Sequence, residues 1–330
     1  MLIILFYVII MLCLIAGNKT VISGASYGLM LWYNNVLPLL MPFMLVSGLM
    51  ASRIKALPQK LRKRYAIIIT LFTGLLCGYP LGAKNANDFI KNNSYDKKTG
   101  QLMLALVNNC SPMFLFGYII SNLINDKIKI SFALFVIYTP YVILIIIKLL
   151  FYKLFSGCKS HNKKAVIVQR KKSANKTKNN IKDTETNKIQ TFENRNISQF
   201  ISDNDQIMST IIQITYVGFY IMICSIISEY ILSLNMIPTN IRLFTASLTE
   251  ITKGTRLIAD NYYMSASSVK MRTESIAIIL GLTSFGGISA ILQTNNVIRG
   301  SGMSICKYII EKTVCGISTY GLVIFLYNYM

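Results

Sequence analysis

The chain has 330 residues, of which 53% are hydrophobic and only 14% are charged, whereas about 25% of a typical soluble domain is charged. Because the apolar residues are gathered into long blocks, a soluble fold of this length would lack the polar surface it needs. The net charge is +21. The lysines and arginines lie mostly between the apolar blocks, which favours a membrane protein that contacts anionic lipid over one that binds nucleic acid.

Long apolar stretches predict membrane-crossing helices along the chain, at residues 1–16, 28–51, 101–124, 131–152, 207–234, 274–293 and 308–328. Most of them reach the roughly 20 residues that a helix needs to cross a bilayer. Residues 1–16 resemble a signal peptide, but they lack a basic start and a small-residue cleavage site, so we expect an uncleaved helix. This helix and the loop to residue 27 precede the first membrane repeat. The charged residues Glu311 and Lys312 lie near the start of the last apolar stretch, so composition does not define a sharp boundary for this helix. We place Glu311 at the membrane interface.

Two other stretches predict re-entrant helical hairpins, which enter the membrane and leave it on the same side. Residues 66–90 begin apolar and break at Gly78-Tyr79-Pro80 and Gly82, and residues 241–262 are too polar to face lipid. Irregular or polar backbone at membrane depth persists only where protein or a cavity surrounds it. Both flanks of the first hairpin are basic, as expected of cytoplasmic segments. An ordinary spanning helix is the alternative for 66–90.

A linker rich in Lys, Asn, Ser and Thr, residues 153–206, divides the chain into two membrane halves. It lacks the apolar residues that a core requires, so we expect it to be disordered and cytoplasmic. Its excess of basic residues suits a surface of anionic lipid, and nucleic acid is the alternative partner.

The two halves, residues 28–152 and 207–330, repeat one order of elements: a long helix, a hairpin, a helix broken near its middle and a closing helix. If the hairpins are re-entrant, each half crosses the membrane three times, and the second copy is therefore inverted. Inverted repeats with broken helices are a transporter architecture, with the solute site where the repeats meet. The expected fold is an all-α polytopic membrane protein with two inverted repeats, each with three spanning helices and a re-entrant hairpin, plus an extra N-terminal helix.

Both predicted helix breaks place polar and small residues inside an apolar run. In LALVNNCSPMFLFG (104–117), Pro112 removes an amide donor from the helix. In IILGLTSFGGISAILQ (278–293), Gly286 and Gly287 let the backbone unwind. A single break would favour a simple kink or close helix packing. Two breaks at matching places, each beside a hairpin, favour a solute site.

Four stretches carry a resemblance to a known family: LWYNNVLPLLMPF (31–43), GYPLGAK (78–84), NNCSPMFLFG (108–117), and LTEITKG (248–254) with SFGGISAILQ (284–293). They resemble the YlbJ-like sporulation integral membrane proteins of the nucleoside-recognition (Gate) domain group, which is itself similar to concentrative nucleoside transporters. The resemblance implies a multi-pass membrane protein that moves dipicolinic acid from the mother cell toward the forespore, across the outer forespore membrane.

The resemblance also implies a solute site between the two hairpin tips and the two helix breaks. Dipicolinate is a planar dianion, so this site needs hydrogen-bond donors and positive charge, which helix N-termini and basic side chains supply. We expect the following residues to contribute backbone donors, side-chain donors, charge or an aromatic ring: Gly78, Tyr79, Gly82, Lys84, Asn108, Asn109, Ser111, Glu250, Thr252, Lys253, Arg256, Ser284, Gly286, Gly287 and Ser289.

The charged candidates have structural alternatives. Lys84 could be a cytoplasmic anchor, and Lys253 could form an ion pair with Glu250 on one helical face. The similar nucleoside transporters hold ribose hydroxyls with acidic residues on their hairpins, whereas the first hairpin tip here has none and the second has only Glu250. This difference disfavours a nucleoside as the solute.

Neither enzymatic chemistry nor a bound cofactor or metal is expected. The only histidine, His161, lies in the linker, the seven cysteines form no C-x-x-C pair, and no G-x-x-x-x-G-K-[ST] motif is present. The alternatives to an anion transporter are a carrier of nucleosides or other metabolites and a non-transporting scaffold of the spore envelope. The sequence leaves the oligomeric state open, including a homo-oligomer.

Overall fold

The computed structural model describes residues 11–12, 15–54, 57–124, 128–156 and 186–328, and within these ranges all regular structure is helical. Most of the expected first helix, 1–16, and residues 157–185 of the expected linker lie outside the described residues. The expectation of an all-α protein is confirmed for the part of the chain that the structure describes.

The first half contains seven helices in the described ranges: α1 (Asn18–Leu31), α2 (Leu37–Ile54), α3 (Gln59–Cys77), α4 (Leu81–Lys91), α5 (Lys97–Val107), α6 (Pro112–Phe114) and α7 (Ile130–Ser156). Two π-helical segments continue these helices: π1 (Trp32–Val36) joins α1 to α2, and π2 (Leu115–Leu123) extends α6.

The second half follows the same order as the first. Its helices are α8 (Thr186–Ser233), α9 (Thr239–Thr249), α10 (Ile251–Ile258), α11 (Val269–Phe285), α12 (Gly287–Val297) and α13 (Ile305–Asn328), and π3 (Ala259–Tyr263) extends α10. A long helix, a helical hairpin, a broken helix and a closing helix thus occur twice. The inversion of one copy relative to the other stays a prediction.

Five helical stretches are long and apolar enough to cross a membrane: Lys97–Ser121, Ile130–Phe151, Ile207–Ser233, Val269–Val297 and Ile305–Leu326. They coincide with five of the predicted crossings. A sixth candidate consists of Asn18–Val36 and Leu40–Ile54, which meet at an angle of 58°. The chain is therefore a helical multi-pass membrane protein, in which the helix expected at 28–51 spans the bend of a longer unit and includes parts of both arms.

Each predicted hairpin is a pair of helices that pack against each other across a short break. Helices α3 and α4 form hairpin 1 around residues 78–80, and helices α9 and α10 form hairpin 2 around Glu250. Neither hairpin is among the candidate crossings in the described residues. The helix–break–helix pattern is thus present at both positions, and re-entry into the membrane stays a prediction.

Both ends of the stretch expected as a linker, 153–206, are helical in the described residues. Residues 153–156 belong to the end of α7, and residues 186–206 are the first turns of α8. Residues 186–206 contain no glycine and no proline, so no residue in this part of α8 breaks or kinks the helix. The disorder and the cytoplasmic location of the expected linker stay predictions.

The two halves interlock through their hairpins. Helix α4 of hairpin 1 packs on α12 in the second half, and helix α10 of hairpin 2 packs on π2 in the first half. The long helices α2 and α8 also pack on each other, as do the closing helices α7 and α13. These contacts bring both hairpin tips and both helix breaks into the centre of the molecule.

Candidate functional site

The helix breaks arise from residues that cannot continue a regular helix. Gly78 ends α3 with φ +74°, and the consecutive residues Gly286 and Gly287 have φ +90° and +78°. Such backbone conformations are costly for residues with a side chain and are readily adopted by glycine. In the first broken helix, the Ser111 hydroxyl accepts a hydrogen bond from the Phe114 amide at 3.1 Å and so caps the helix that starts at Pro112.

The tip of hairpin 1 lies directly on the first helix break. The Tyr79 amide donates to the Asn109 carbonyl oxygen at 2.9 Å. A Cβ atom on Gly78 would overlap this same oxygen, and one on Gly82 would overlap the carbonyl oxygen of Val107. The close approach of the two backbones therefore requires glycine at both positions.

The tip of hairpin 2 lies on the second helix break in a similar way. A Cβ atom on Gly287 would stand 3.3 Å from the Ile251 amide nitrogen, which is tight packing. Glu250 caps α10, because its carboxylate accepts hydrogen bonds from the Lys253 amide at 2.8 Å and from the Thr252 hydroxyl at 3.2 Å. The carbonyl oxygen of Thr252 accepts a hydrogen bond from Tyr118 in π2 at 2.9 Å.

A cavity of about 60 Å³ lies between both hairpin tips and both helix breaks. Its lining comes from hairpin 1, the first broken helix, hairpin 2, the second broken helix, and the helices α8, π1 and α2: Cys77, Tyr79, Ser111, Phe114, Glu250, Ile251, Thr252, Ser289, Ala290, Gln293, Val217, Ile221, Asn35, Val36 and Leu40. The volume suffices for a few water molecules. It is smaller than the roughly 300–1,000 Å³ of a typical ligand pocket.

Five of the residues expected at the solute site line this cavity: Tyr79, Ser111, Glu250, Thr252 and Ser289. The four glycines Gly78, Gly82, Gly286 and Gly287 lie in the adjacent tips and breaks: Gly78, Gly82 and Gly287 allow close backbone packing, and Gly286 adopts a positive φ. The sequence interpretation did not include Asn35 or Gln293. Both lie within the quoted family stretches, so position in those stretches was a usable signal.

The three basic residues expected at the site do not line the cavity. Lys84 is buried and pairs with Asp88 at 3.7 Å, one helical turn along α4. The Lys253 ammonium lies 2.5 Å from Glu229 in α8 and over the Tyr27 ring, so its ion-pair partner is Glu229 and not Glu250, the partner in the structural alternative. Arg256 is 59% exposed and lies 3.6 Å from Asp260. Each of these three cations pairs with an acidic residue outside the cavity, and this pairing keeps its side chain away from the cavity lining.

Of the three remaining candidates, Asn108 and Ser284 form hydrogen bonds that connect the two halves. The Asn108 amide donates to Thr294 at 2.6 Å and to Tyr308 at 2.9 Å, and its oxygen accepts from the Ala83 amide at 3.3 Å. Ser284 is fully buried, and its hydroxyl contacts those of Tyr141 at 3.3 Å and Thr319 at 3.1 Å. Asn109 is buried as well, and its amide nitrogen has no hydrogen-bond partner.

A fully buried lysine in α13, Lys312, reaches both helix breaks. Its ammonium donates to the Asn109 side-chain oxygen at 3.1 Å and lies 4.9 Å from the centre of the Tyr141 ring. A Cβ atom on Gly286 would stand 3.8 Å from the same nitrogen. Within the described residues no carboxylate is within 4.0 Å of it, and the neighbouring Glu311 pairs with Lys148 at 2.6 Å.

The sequence interpretation did not assign Lys312 to the site, because its position near the start of an apolar stretch suggested only a soft helix boundary. An uncompensated charge inside a membrane protein is costly and generally marks a functional position. Among the described residues no cluster of His, Cys, Asp and Glu could hold a metal ion.

Comparisons with protein-family models, with characterised proteins and with solved structures found no match to this chain. The resemblance to the YlbJ-like proteins therefore stays a prediction that rests on the four quoted stretches.

Proposed function

We propose that the protein carries a small organic anion across a membrane, and that Lys312 supplies the positive charge that selects it. The observation that carries the proposal is the burial of Lys312 beside Asn109 and Gly286 without an acidic partner in the described residues. A buried ammonium that faces only neutral acceptors is incompletely stabilised. An anion that reached it would supply the missing counter-charge.

The surroundings of Lys312 fit a carboxylate. The Asn109 amide nitrogen is buried without a partner and can donate two hydrogen bonds. Helix α12 begins at Gly287, so its first amide groups and the positive end of its dipole lie close to the same place. A carboxylate here would receive donors from both helix breaks, and a second carboxylate could extend toward Ser111 and Ser289 at the cavity.

The small cavity supports a carrier that must change conformation, since about 60 Å³ is too little for an aromatic dicarboxylate. Lys312 and Asn109 are not among the residues that line the cavity. A movement that opens the contact between the hairpin tips and the breaks would enlarge the cavity and expose both groups. In the proposed architecture of inverted repeats, this movement would alternate between the two sides of the membrane.

Dipicolinate is the anion that the resemblance to the YlbJ-like proteins suggests, with the outer forespore membrane as its location. The test is uptake of labelled dipicolinate by liposomes that contain the purified full-length chain, with uridine and empty liposomes measured in parallel. We expect dipicolinate uptake well above that of empty liposomes and no competition from uridine. Dipicolinate flux equal to that of empty liposomes would exclude this substrate.

A carrier of a neutral solute with several hydroxyl groups, such as a nucleoside, is the second candidate. The observation that favours it is Glu250, the one acidic residue in the cavity lining, because a carboxylate accepts hydrogen bonds and repels anions. In the same liposome experiment, uridine uptake that exceeds dipicolinate uptake would favour this function.

A further inference from the structure

A basic cleft opens between the first turns of α3 and the turn that joins α4 to α5. It has a volume of about 990 Å³ and is lined by Gln59, Lys60, Lys63, Arg64, Ile67, Asn93, Ser94, Tyr95 and Asp96. We propose that this cleft binds the phosphate headgroup of an acidic phospholipid. The proposal does not depend on the transport function.

The three basic residues of the cleft lie close together on one helix. Lys60, Lys63 and Arg64 are three and four positions apart, so they lie on one face of α3. The one acidic residue in the lining, Asp96, accepts a hydrogen bond from the Thr99 hydroxyl at 2.5 Å, and this bond keeps the pKa of its carboxyl below the usual range. The lining therefore has three cations against one carboxylate. Membrane topology requires basic residues on this flank but does not require them to share a cleft.

A buried hydroxyl without a partner belongs to a residue that lines the same cleft. Ser94 lines the cleft with 3% of its surface exposed, and its hydroxyl oxygen has no hydrogen-bond partner. Its backbone amide is already bonded to the Phe89 carbonyl. On the facing wall, Pro58 precedes α3 and no side chain caps this 19-residue helix. The first amides of α3 are thus free to donate to an anion.

The surface next to the cleft explains why the phosphate should belong to a lipid. Five large apolar side chains of α3 are exposed at helical spacing and form a stripe that runs away from the cleft: Leu61, Tyr65, Ile68, Phe72 and Leu76. Acyl chains could lie along this stripe while the headgroup occupies the cleft. Free phosphate has no acyl chains, so contact with this apolar stripe would not strengthen its binding.

The test is native mass spectrometry of the full-length chain in detergent with phosphatidylglycerol or phosphatidylcholine added. We expect the wild type to retain phosphatidylglycerol at least about tenfold better. The variant Lys60→Gln, Lys63→Gln, Arg64→Gln should lose this preference, because each basic residue near an anionic lipid contributes about a fivefold gain in binding. The control Lys98→Gln, Lys270→Gln, Arg272→Gln removes three exposed charges outside the cleft and should retain the preference.

A second variant distinguishes loss of the lipid site from misfolding of the triple variant. Ser94→Ala removes a hydroxyl that has no partner in the protein, so it should leave thermal stability unchanged and lower phosphatidylglycerol retention severalfold. Equal losses in the triple variant and its control would overturn the proposal, as would normal retention by Ser94→Ala. Displacement of the lipid by inorganic phosphate at an equal concentration would overturn the assignment to a lipid.

Discussion

The ammonium of Lys312 lies 3.1 Å from the side-chain oxygen of Asn109, although the two residues are 203 positions apart. The contact joins the closing helix of the second half to the helix break of the first. Both residues are buried, and the amide oxygen is a neutral acceptor. The protein thus places a cation at the junction of its halves and leaves its charge uncompensated within the described residues.

Replacement of Lys312 by methionine should lower dipicolinate uptake at least about tenfold, because removal of one member of a buried charge interaction costs about 2–5 kcal/mol of binding free energy. Methionine retains most of the length and apolar surface of the side chain. Uptake is measured in liposomes at equal amounts of inserted protein. Lys307→Met, one exposed lysine on the same helix, should retain full uptake. Normal uptake by Lys312→Met would remove this residue from the site.

Replacement of Asn109 by aspartate should also lower dipicolinate uptake, because a carboxylate would neutralise Lys312 and compete with the solute. The new ion pair should keep thermal stability at or above that of the wild type. Asn109→Ala should instead leave the ammonium without its acceptor and lower stability by about 1–3 kcal/mol. Thermal unfolding in detergent separates the two variants. An aspartate variant that transports normally would contradict the role of an exposed positive charge.

Replacement of Glu250 by glutamine should raise dipicolinate uptake severalfold, because the change removes the only acidic side chain among the residues that line the cavity. Glutamine can still accept the hydrogen bond from the Lys253 amide, so the start of α10 should persist. Glu274→Gln, at an exposed position of α11, is the control and should have no effect. A fall in dipicolinate uptake, with lost uridine uptake, would instead favour the neutral-solute carrier.

Replacement of Gly82 by alanine should destabilise the protein, because the new methyl group would overlap the Val107 carbonyl oxygen. Overpacking of this kind costs about 1–3 kcal/mol. Gly321→Ala in α13 is the matched control, since among the described residues no atom beyond the adjacent helix backbone lies within 4 Å of its added Cβ, and it should be neutral or slightly stabilising. Equal melting temperatures for the two variants would contradict the close contact between hairpin 1 and the first helix break.

The order of helices and the positions of their breaks could be predicted because both depend on local sequence. A run of apolar residues predicts a crossing, and Pro112 or the pair Gly286 and Gly287 marks a break wherever the chain later packs. The five crossings and both hairpins accordingly fall close to their predicted positions. The extension of α8 into residues 186–206 was missed because a polar composition was taken as a sign of disorder.

The charges at the site could not be predicted in the same way, because each depends on partners that are distant in sequence. Lys253 points to Glu229, 24 positions earlier, rather than to the adjacent Glu250. Lys312 reaches Asn109 only because α13 packs beside the first broken helix. Residue type and spacing were enough to predict the hairpin tips and helix breaks that surround the cavity. Which cations lie near them depends on helix packing, which local sequence does not show.

The interlocking of the hairpins with the opposite half constrains how the chain can be made. Helix α4 leaves the ribosome about 200 residues before α12, on which it packs. At about 5–20 residues per second, this interval is roughly 10–40 seconds. During that time hairpin 1 lacks the helix of the second half on which it packs, so the cell has to protect an unfinished molecule. Two fragments divided within residues 157–185 should therefore each be degraded when produced alone and survive when produced together.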